Sequence, residues 1–380
     1  MSHLFKHLLR LLLCSLIPVL SVDVSLNAQP AAVPQWTIVR DCLPEAQPRP
    51  SDFRFPGFIA SYVPGDGIRA LRSETFTTYY LAFAGSNFIE SAAFSPDGRW
   101  MALPYGFIET AGAFDVRYRV GELRVMSTGT YPQISARVSW QASFQQGALE
   151  PVRWLDNERF AYVSGSFLDG QTPQQVQPFD AQVTSFTLGL YDTLSPDHMR
   201  GFQADADRAA LVDLSTNTSG GAVLAHLPSQ HANLSGFVWS PDSTQFAVLE
   251  GDEGSSRWLS LISRDGELSV RLLDVTIDRL LSNFRWSPDN RQFAFSVYNP
   301  YDNESLLYTG DVETQTIVER CLPLNTRYHR APEQSLAWSP DSTHLALALP
   351  DGLHIYDTPA DALYRIGDDI GGLIDWKRGE

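Results

Sequence analysis

SNFRWSPDNRQFAFS, residues 282–296, is the stretch from which the rest of the chain can be read. Its centre is Trp286, followed by Ser287-Pro288-Asp289 and an apolar run through Phe293-Ala294-Phe295. Proline in the second place of a turn presets φ for a type I turn, and the flanking Ser and Asp can bond nearby backbone groups. The stretch therefore predicts two strands joined by a tight hairpin. The same pattern recurs as ESAAFSPDGRWMAL from Glu90, SGFVWSPDSTQFAVL from Ser235 and QSLAWSPDSTHLALA from Gln334. Weaker copies are PVRWLDNERFAYV from Pro151, LYDTLSPDHMRGF from Leu190 and a truncated GLIDWKRGE from Gly372.

The anchors of these copies are Phe94, Trp154, Leu194, Trp239, Trp286, Trp338 and Trp376, spaced 47 residues apart on average. That is the length of one four-stranded propeller blade. A helical repeat of this length would place apolar residues at every third and fourth position, whereas here short alternating runs flank a turn. The expected fold is an all-β, seven-bladed propeller of four-stranded antiparallel blades. Ala102, Ala161, Ala247, Ala294 and Ala346 each fall seven or eight residues after an anchor. They are read as facing a neighbouring blade at close approach, with large residues such as Phe246 and Val248 filling the opposite face. The aromatic anchors are read as core between blades. The last copy leaves one strand without partners, and FPGFIASY from Phe55, GIRALRS from Gly67 and TTYYLAF from Thr77 supply three. Closure by sharing one blade between the two ends is expected, since it removes exposed edges.

Composition agrees with a globular, turn-rich chain. Of the 380 residues 43% are hydrophobic and 19% charged, so a large core can be buried. A formal charge of -16 opposes nucleic-acid phosphates, and no run of Lys or Arg overcomes it. Nucleic acid is not an expected partner. Lys6 and Arg10 precede the apolar run LLLCSLIPVL from Leu11 to Leu20 and a polar stretch to Ala28, the three parts of an export signal. The run falls short of the ~20 residues that span a bilayer. The boundaries expected are 1–28 signal peptide, 29–54 N-terminal extension and 55–380 propeller, giving a secreted or periplasmic monomer with no membrane insertion once the signal is removed. Cys42 and Cys321 remain, within the echo TIVRDCLP from Thr37 and TIVERCLP from Thr316. They can pair in an oxidising compartment or stay as buried thiols.

The Trp-Ser-Pro-Asp runs followed by an apolar strand resemble the WD-like repeat of the TolB propeller family, over roughly residues 55 to 377. The resemblance implies the fold and not the function, because such blades serve transport, peptidase and lyase proteins. Residues 29 to 55 are too few for the N-terminal domain of TolB, so its protein-partner role does not carry over.

No motif for nucleophilic catalysis, a zinc helix or a phosphate-cradling loop is present. A peptidase of the prolyl-oligopeptidase kind would need a further hydrolase domain, for which no length remains. Oligogalacturonate lyases, which resemble this chain in their repeats, use clustered histidines and a divalent cation; His329, His344 and His354 are the candidates here. The strand assignment scatters them over a loop, a turn and a strand. The acidic pairs Asp205 and Asp207, Asp252 and Glu253, and Asp368 and Asp369 are read as turn and surface chemistry. No metal, cofactor or catalytic residue is assigned. The expected function is a non-catalytic binding scaffold for a protein, peptide or glycan, with a metal-dependent polysaccharide lyase or other glycan-processing enzyme as the alternative.

Strand parity predicts where a ligand would sit. The first and third turns of an antiparallel blade share one rim, which the short Ser-Pro-Asp hairpins occupy. The other rim collects longer, varied connections: PYGFIETAGAFD from Pro104, SGSFLDGQTP from Ser164, YNPYDNES from Tyr298 and LNTRYHRAP from Leu324. Tyr105, Glu109, Phe167, Asp169, Tyr301, Asp302, Arg327, Tyr328 and His329 are the candidate ligand-binding residues.

Overall fold

A computed structural model describes residues 36–378 apart from 64–65, 84–91, 112–115, 130, 144–151, 155–156, 158–159, 163–164, 167–173, 177–182, 186–192, 198, 206–207, 215–221, 228–237, 252–256, 268, 276–279, 300, 327–334 and 368–371. The chain divides into Met1–Pro34 and Gln35–Glu380, and every described strand belongs to the second unit. The expected signal peptide lies outside the described residues.

The strands form hydrogen-bonded sheets of propeller type, seven among the described residues. Sheet I pairs Gly372–Lys377 with Phe58–Val63, Gly67–Arg72 and Thr78–Phe83. Sheet II holds Ala93–Phe94, Trp100–Ala111, Val116–Ser127 and Ile134–Ser143, with Gly165–Ser166 at its edge. Sheet III is Val152–Trp154, Phe160–Tyr162, Gln174–Val176 and Val183–Ser185. Sheet IV is Thr193–Leu194, Arg200–Asp205, Arg208–Asp213 and Ala222–Leu227, and sheet V is Val238–Trp239, Gln245–Gly251, Arg257–Ser263 and Ser269–Val275. Sheet VI runs Leu280–Trp286, Gln292–Asn299, Glu304–Asp311 and Thr316–Leu324, and sheet VII runs Leu336–Trp338, His344–Leu349, Gly352–Asp357 and Ala362–Gly367.

The expected set of uniform four-stranded antiparallel blades is corrected by this topology. Sheets II, VI and VII have five strands, and the fifth lies parallel to its neighbour. Thr37–Arg40 runs beside Thr316–Glu319, Gln47–Pro48 beside Tyr364–Arg365, and Gly165–Ser166 beside Ala142–Ser143. An outer edge offers unpaired backbone groups to any segment that reaches it. The N-terminal segments do so from far away in the chain and Gly165–Ser166 from the following blade, which a repeat count cannot reveal. The N-terminal strap is fixed covalently by a disulfide between Cys42 and Cys321.

The packing follows the alternation of each strand. Ala247 lies in one cluster with Phe284, Trp286 and Phe293 of the next sheet, whereas Phe246 and Val248 join Phe202 and Leu211 of the preceding one. Ala294 faces Trp338 and Leu345, and Ala346 faces Ile59, Leu373 and Trp376. The anchors also bond between sheets: Trp154 Nε1 donates to Ala93 O at 2.7 Å, Trp286 Nε1 to Val238 O at 3.1 Å and Trp338 Nε1 to Arg285 O at 3.2 Å. Burial of these indoles is thus compatible with their polar edge.

The hairpins form a second set of ties. In the five that carry Ser-Pro-Asp, the Ser hydroxyl donates to the Asp carboxylate at 2.6–2.7 Å, as at Ser95 to Asp97 and Ser240 to Asp242. The Asp N–H then reaches the next sheet: Asp97 to Asn157 Oδ1, Asp197 to Ser243 Oγ, Asp242 to Asn290 Oδ1 and Asp289 to Ser342 Oγ, all at 3.0 Å. Ser243, Asn290 and Ser342 have φ of 62°, 63° and 64°, a left-handed backbone that turns each side chain toward its donor.

Burial opposes ionisation of Asp97, Asp197, Asp242 and Asp341, but bonds from the hairpin Ser and the N–H two residues on outweigh it and hold these carboxyls below their ordinary value of 3.8. A depressed folded value means stabilisation that is complete above the unfolded value and lost as pH falls through the folded one. The thermal midpoint is therefore expected to drop steeply below about pH 4, and Asp242→Asn to flatten part of that slope. Melting curves between about pH 6 and pH 2.5 measure this; an unaltered slope in the variant contradicts it.

Candidate functional site

The register of sheet VI defines the two rims. Gln292 pairs with Asp311 and Asp311 with Thr316 at the hairpin end, while Leu280, Tyr298, Ser305 and Leu324 align at the other. The hairpin rim is occupied by its own inter-sheet bonds. Its cleft between sheets VI and VII, about 320 Å³, is lined by Gln292, Asp311, Arg320, Trp338 and Tyr356 among others. Polar groups there are already engaged within the protein: Arg320 Nε donates to Thr309 Oγ1 at 2.9 Å and Tyr356 OH to Asp361 Oδ1 at 2.7 Å. Burial and the Asp361 bond both push the Tyr356 phenol up, so it remains a neutral donor.

On the opposite rim, Tyr301 is 76% exposed at the turn between the second and third strands of sheet VI. Its N–H donates to Asn299 Oδ1 at 3.1 Å, while Asn299 Nδ2 donates to Asp302 at 2.5 Å and Tyr298 OH to Asn303 at 3.0 Å. Asn303 takes the left-handed conformation, φ 51°, that closes the turn. Local asparagine chemistry thus fixes the backbone and leaves the Tyr301 ring facing water beside Asp302.

Tyr105 and Glu109 lie on the strand Trp100–Ala111 rather than in a loop, because that strand continues through Pro104 to Ala111 in register with Val116–Leu123. The Tyr105 ring is half-buried with the Arg124 guanidinium 3.3 Å from its centroid, and Arg124 also pairs with Glu122. Phe167, Asp169, Arg327, Tyr328 and His329 lie outside the described residues. Tyr301 and Asp302 are neighbours on one turn; Tyr105 belongs to a different sheet.

A cluster in sheet I escaped the reading of the sequence. Tyr80 and Phe83 are 44% and 60% exposed, with ring centroids 5.7 Å apart in an edge-on arrangement. Tyr80 OH donates to the Asp66 carboxylate at 3.0 Å, and Arg69 pairs with the same carboxylate and lies over the Tyr80 ring. Val63 and Phe83 both pair with Gly67, so this cluster stands toward the rim that carries the turn between second and third strands. The alternation of TTYYLAF held the signal, since Leu81 is buried and its neighbour Tyr80 points outward.

His344 and His354 do not converge. His344 Nδ1 shares a 2.7 Å bond with Thr343 Oγ1, and the ring packs edge-on against Phe53. His354 is sealed from solvent, with Nδ1 3.3 Å from Gly352 O and Nε2 3.6 Å from Asp351, beyond hydrogen-bond reach. Burial pulls both imidazoles below their ordinary value despite nearby carboxylates. Among the described residues no three His, Cys, Asp or Glu side chains gather as a metal site would require.

No protein-family model matches the sequence, and no curated protein matches it. Solved structures do match in fold. An oligogalacturonate lyase in complex with manganese is 14% identical with a TM-score of 0.50, covering 85% of this chain and 86% of its own. The periplasmic gluconolactonase of Pseudomonas aeruginosa is 12% identical with a TM-score of 0.50, covering 86% and 98%. TolB from Acinetobacter baumannii is 13% identical with a TM-score of 0.42 over 70% and 64%, a likeness on which nothing is built. At such identities the likeness establishes the propeller fold alone.

Proposed function

We propose that the protein is an extracytoplasmic, non-catalytic propeller scaffold that binds a glycan or peptide at the rim opposite the Ser-Pro-Asp hairpins. The observation that carries this reading is the contrast between the rims. One consumes its polar groups in ties between sheets, and the other presents the exposed Tyr301 ring beside the Asp302 carboxylate on a turn fixed by Asn299 and Asn303. Exposed aromatic faces next to carboxylates suit stacking on sugar rings or peptide side chains, and rigid scaffolds place such groups on their connections. The Cys42–Cys321 disulfide favours an oxidising compartment, in keeping with the signal-like residues 1–28.

Binding to arrays of oligosaccharides and of peptides tests this. Tyr301→Ala is expected to weaken the best binder about tenfold, in line with loss of one aromatic anchor, without changing the melting temperature. Equal binding by variant and wild type removes this rim from the site. The alternative of a metal-dependent glycan-processing enzyme would show itself as a stoichiometric divalent cation in purified protein and release of unsaturated sugar ends from oligogalacturonate.

A further inference from the structure

The N-terminal strap holds a chemical feature that the ligand-binding reading does not use. Thr37, Ile38 and Val39 pair in parallel with Thr316, Ile317 and Val318, so each residue lies beside its like. The echo continues to Cys42 and Cys321, joined across the end of this pairing. Cys42 is exposed, whereas Cys321 is half-buried. Arg40 Nε donates to Cys321 Sγ at 3.2 Å and also lies 3.3 Å from Glu319 Oε1. The two sulfurs therefore differ: one is open to attack, and the other has a guanidinium beside it. The backbone of Cys321 is left-handed, φ 53°, a conformation that its surroundings impose.

From this asymmetry we infer that the Cys42–Cys321 disulfide is a thiol exchange site in the folded protein, taking a small thiolate as its substrate. The thiolate sulfur attacks Cys42 Sγ along the disulfide axis and forms a new sulfur–sulfur bond. The old bond breaks, and its electron pair leaves on Cys321 Sγ, where Arg40 stabilises the thiolate. A lower-pKa thiol is the better leaving group, and a neighbouring cation lowers that pKa. The guanidinium is shared with Glu319, which moderates the effect. Attack by the Cys321 thiolate on the mixed disulfide returns the starting bond and releases the small thiol, so the cycle consumes no oxidant.

The strap stays in place while this happens. Trp36 packs against Phe293 with centroids 5.7 Å apart, Leu43 and Ala46 join the core between sheets VI and VII, and Phe53 lies 4.9 Å from Tyr364. Asp41 N–H and Leu43 N–H each donate to sheet VI, at Glu319 O and Arg320 O. Opening one bond in a strap held on both sides leaves the sulfurs close enough to rejoin.

Reduced glutathione is the probe. Native protein is incubated with it, quenched with N-ethylmaleimide in acid and digested for mass mapping, with circular dichroism confirming that the fold persists. The expected product carries glutathione on Cys42 and maleimide on Cys321. Arg40→Gln should slow formation about threefold, and Arg40→Lys should restore most of the rate. Glutathione on Cys321, an even division between the two sulfurs, exchange only in denaturant, or an unaltered rate in Arg40→Gln would each overturn the proposal. Because the readout is covalent and lies on the strap, it is independent of any ligand at the Tyr301 rim.

Discussion

A chain ending at residue 370 is expected to melt roughly 10 °C below the full chain or to lose cooperative unfolding altogether. The last strand, Gly372–Lys377, pairs antiparallel with Phe58–Val63 and buries Leu373 fully and Trp376 to 2% exposure. Loss of one buried Leu and one buried Trp costs on the order of 5–8 kcal/mol together, before the backbone bonds are considered. Trp376 is also tied by its Nε1 to Pro56 O at 2.6 Å and packed edge-on against Phe55 at 5.2 Å. A single substitution probes the same contact. Gly57 has φ 75°, and a Cβ there would lie 1.8 Å from Lys377 O, a backbone atom with no side-chain freedom to yield. Gly57→Ala should therefore reproduce much of the truncation. Should both variants melt with the wild type, the pairing of the two chain ends contributes nothing to stability.

Gly310→Ala is the second substitution expected to act strongly. A Cβ at Gly310 would meet the Phe293 ring at 2.1, 2.2 and 2.7 Å. Phe293 cannot give way easily, because it is fully buried in a cluster with Phe284 at 5.2 Å and Phe295 at 6.1 Å, which lie 5.9 Å from each other, and Tyr308 packs on Phe295. Overpacking of a well-packed core typically costs about 1–3 kcal/mol, and the displacement of a whole aromatic cluster places this case at or above the upper end. Gly367→Ala is the control, since nothing lies within 4 Å of its added Cβ. It should be neutral or stabilising by about 0.5 kcal/mol through a restricted unfolded chain. Urea midpoints of the two variants decide the matter; equal midpoints would mean that the ring cluster adjusts freely.

The repeated hairpins were legible because each is local: Pro, Ser and Asp dictate a turn wherever they occur together, and the alternation beyond them places Ala294 and Phe293 on opposite faces. The pairing of Cys42 with Cys321 was open in the sequence, where the TIVRDCLP echo marked the two thiols as candidates without fixing geometry. What the repeat could not disclose were the outer edges. Strands Gln47–Pro48 and Gly165–Ser166 find their partners through space, and nothing in their local composition specifies a parallel neighbour; only Thr37–Arg40 carried a signal, the echo of TIVRDCLP in TIVERCLP. Tyr105 and Glu109 were misread as loop residues for a related reason. Pro104 and Gly106 look like turn residues, yet the long pairing with Val116–Ser127 carries the strand through both. For the candidate site, parity identified the Tyr301 turn, whereas TTYYLAF was read only as a strand that completes the closing blade, with no role given to Tyr80 or Phe83.

The bond from a hairpin Asp to the side chain of the following sheet, made by Asp97, Asp197, Asp242 and Asp289, has a direction. Asn290 serves the turn of Asp242, while its own turn depends on Ser342. A fault at one turn is accordingly felt first by the sheet behind it and not by the sheet ahead. The assembly is polar in its failures: local opening propagates backward along the chain order, so the residue that frays and the residue that caused the fraying belong to different sheets.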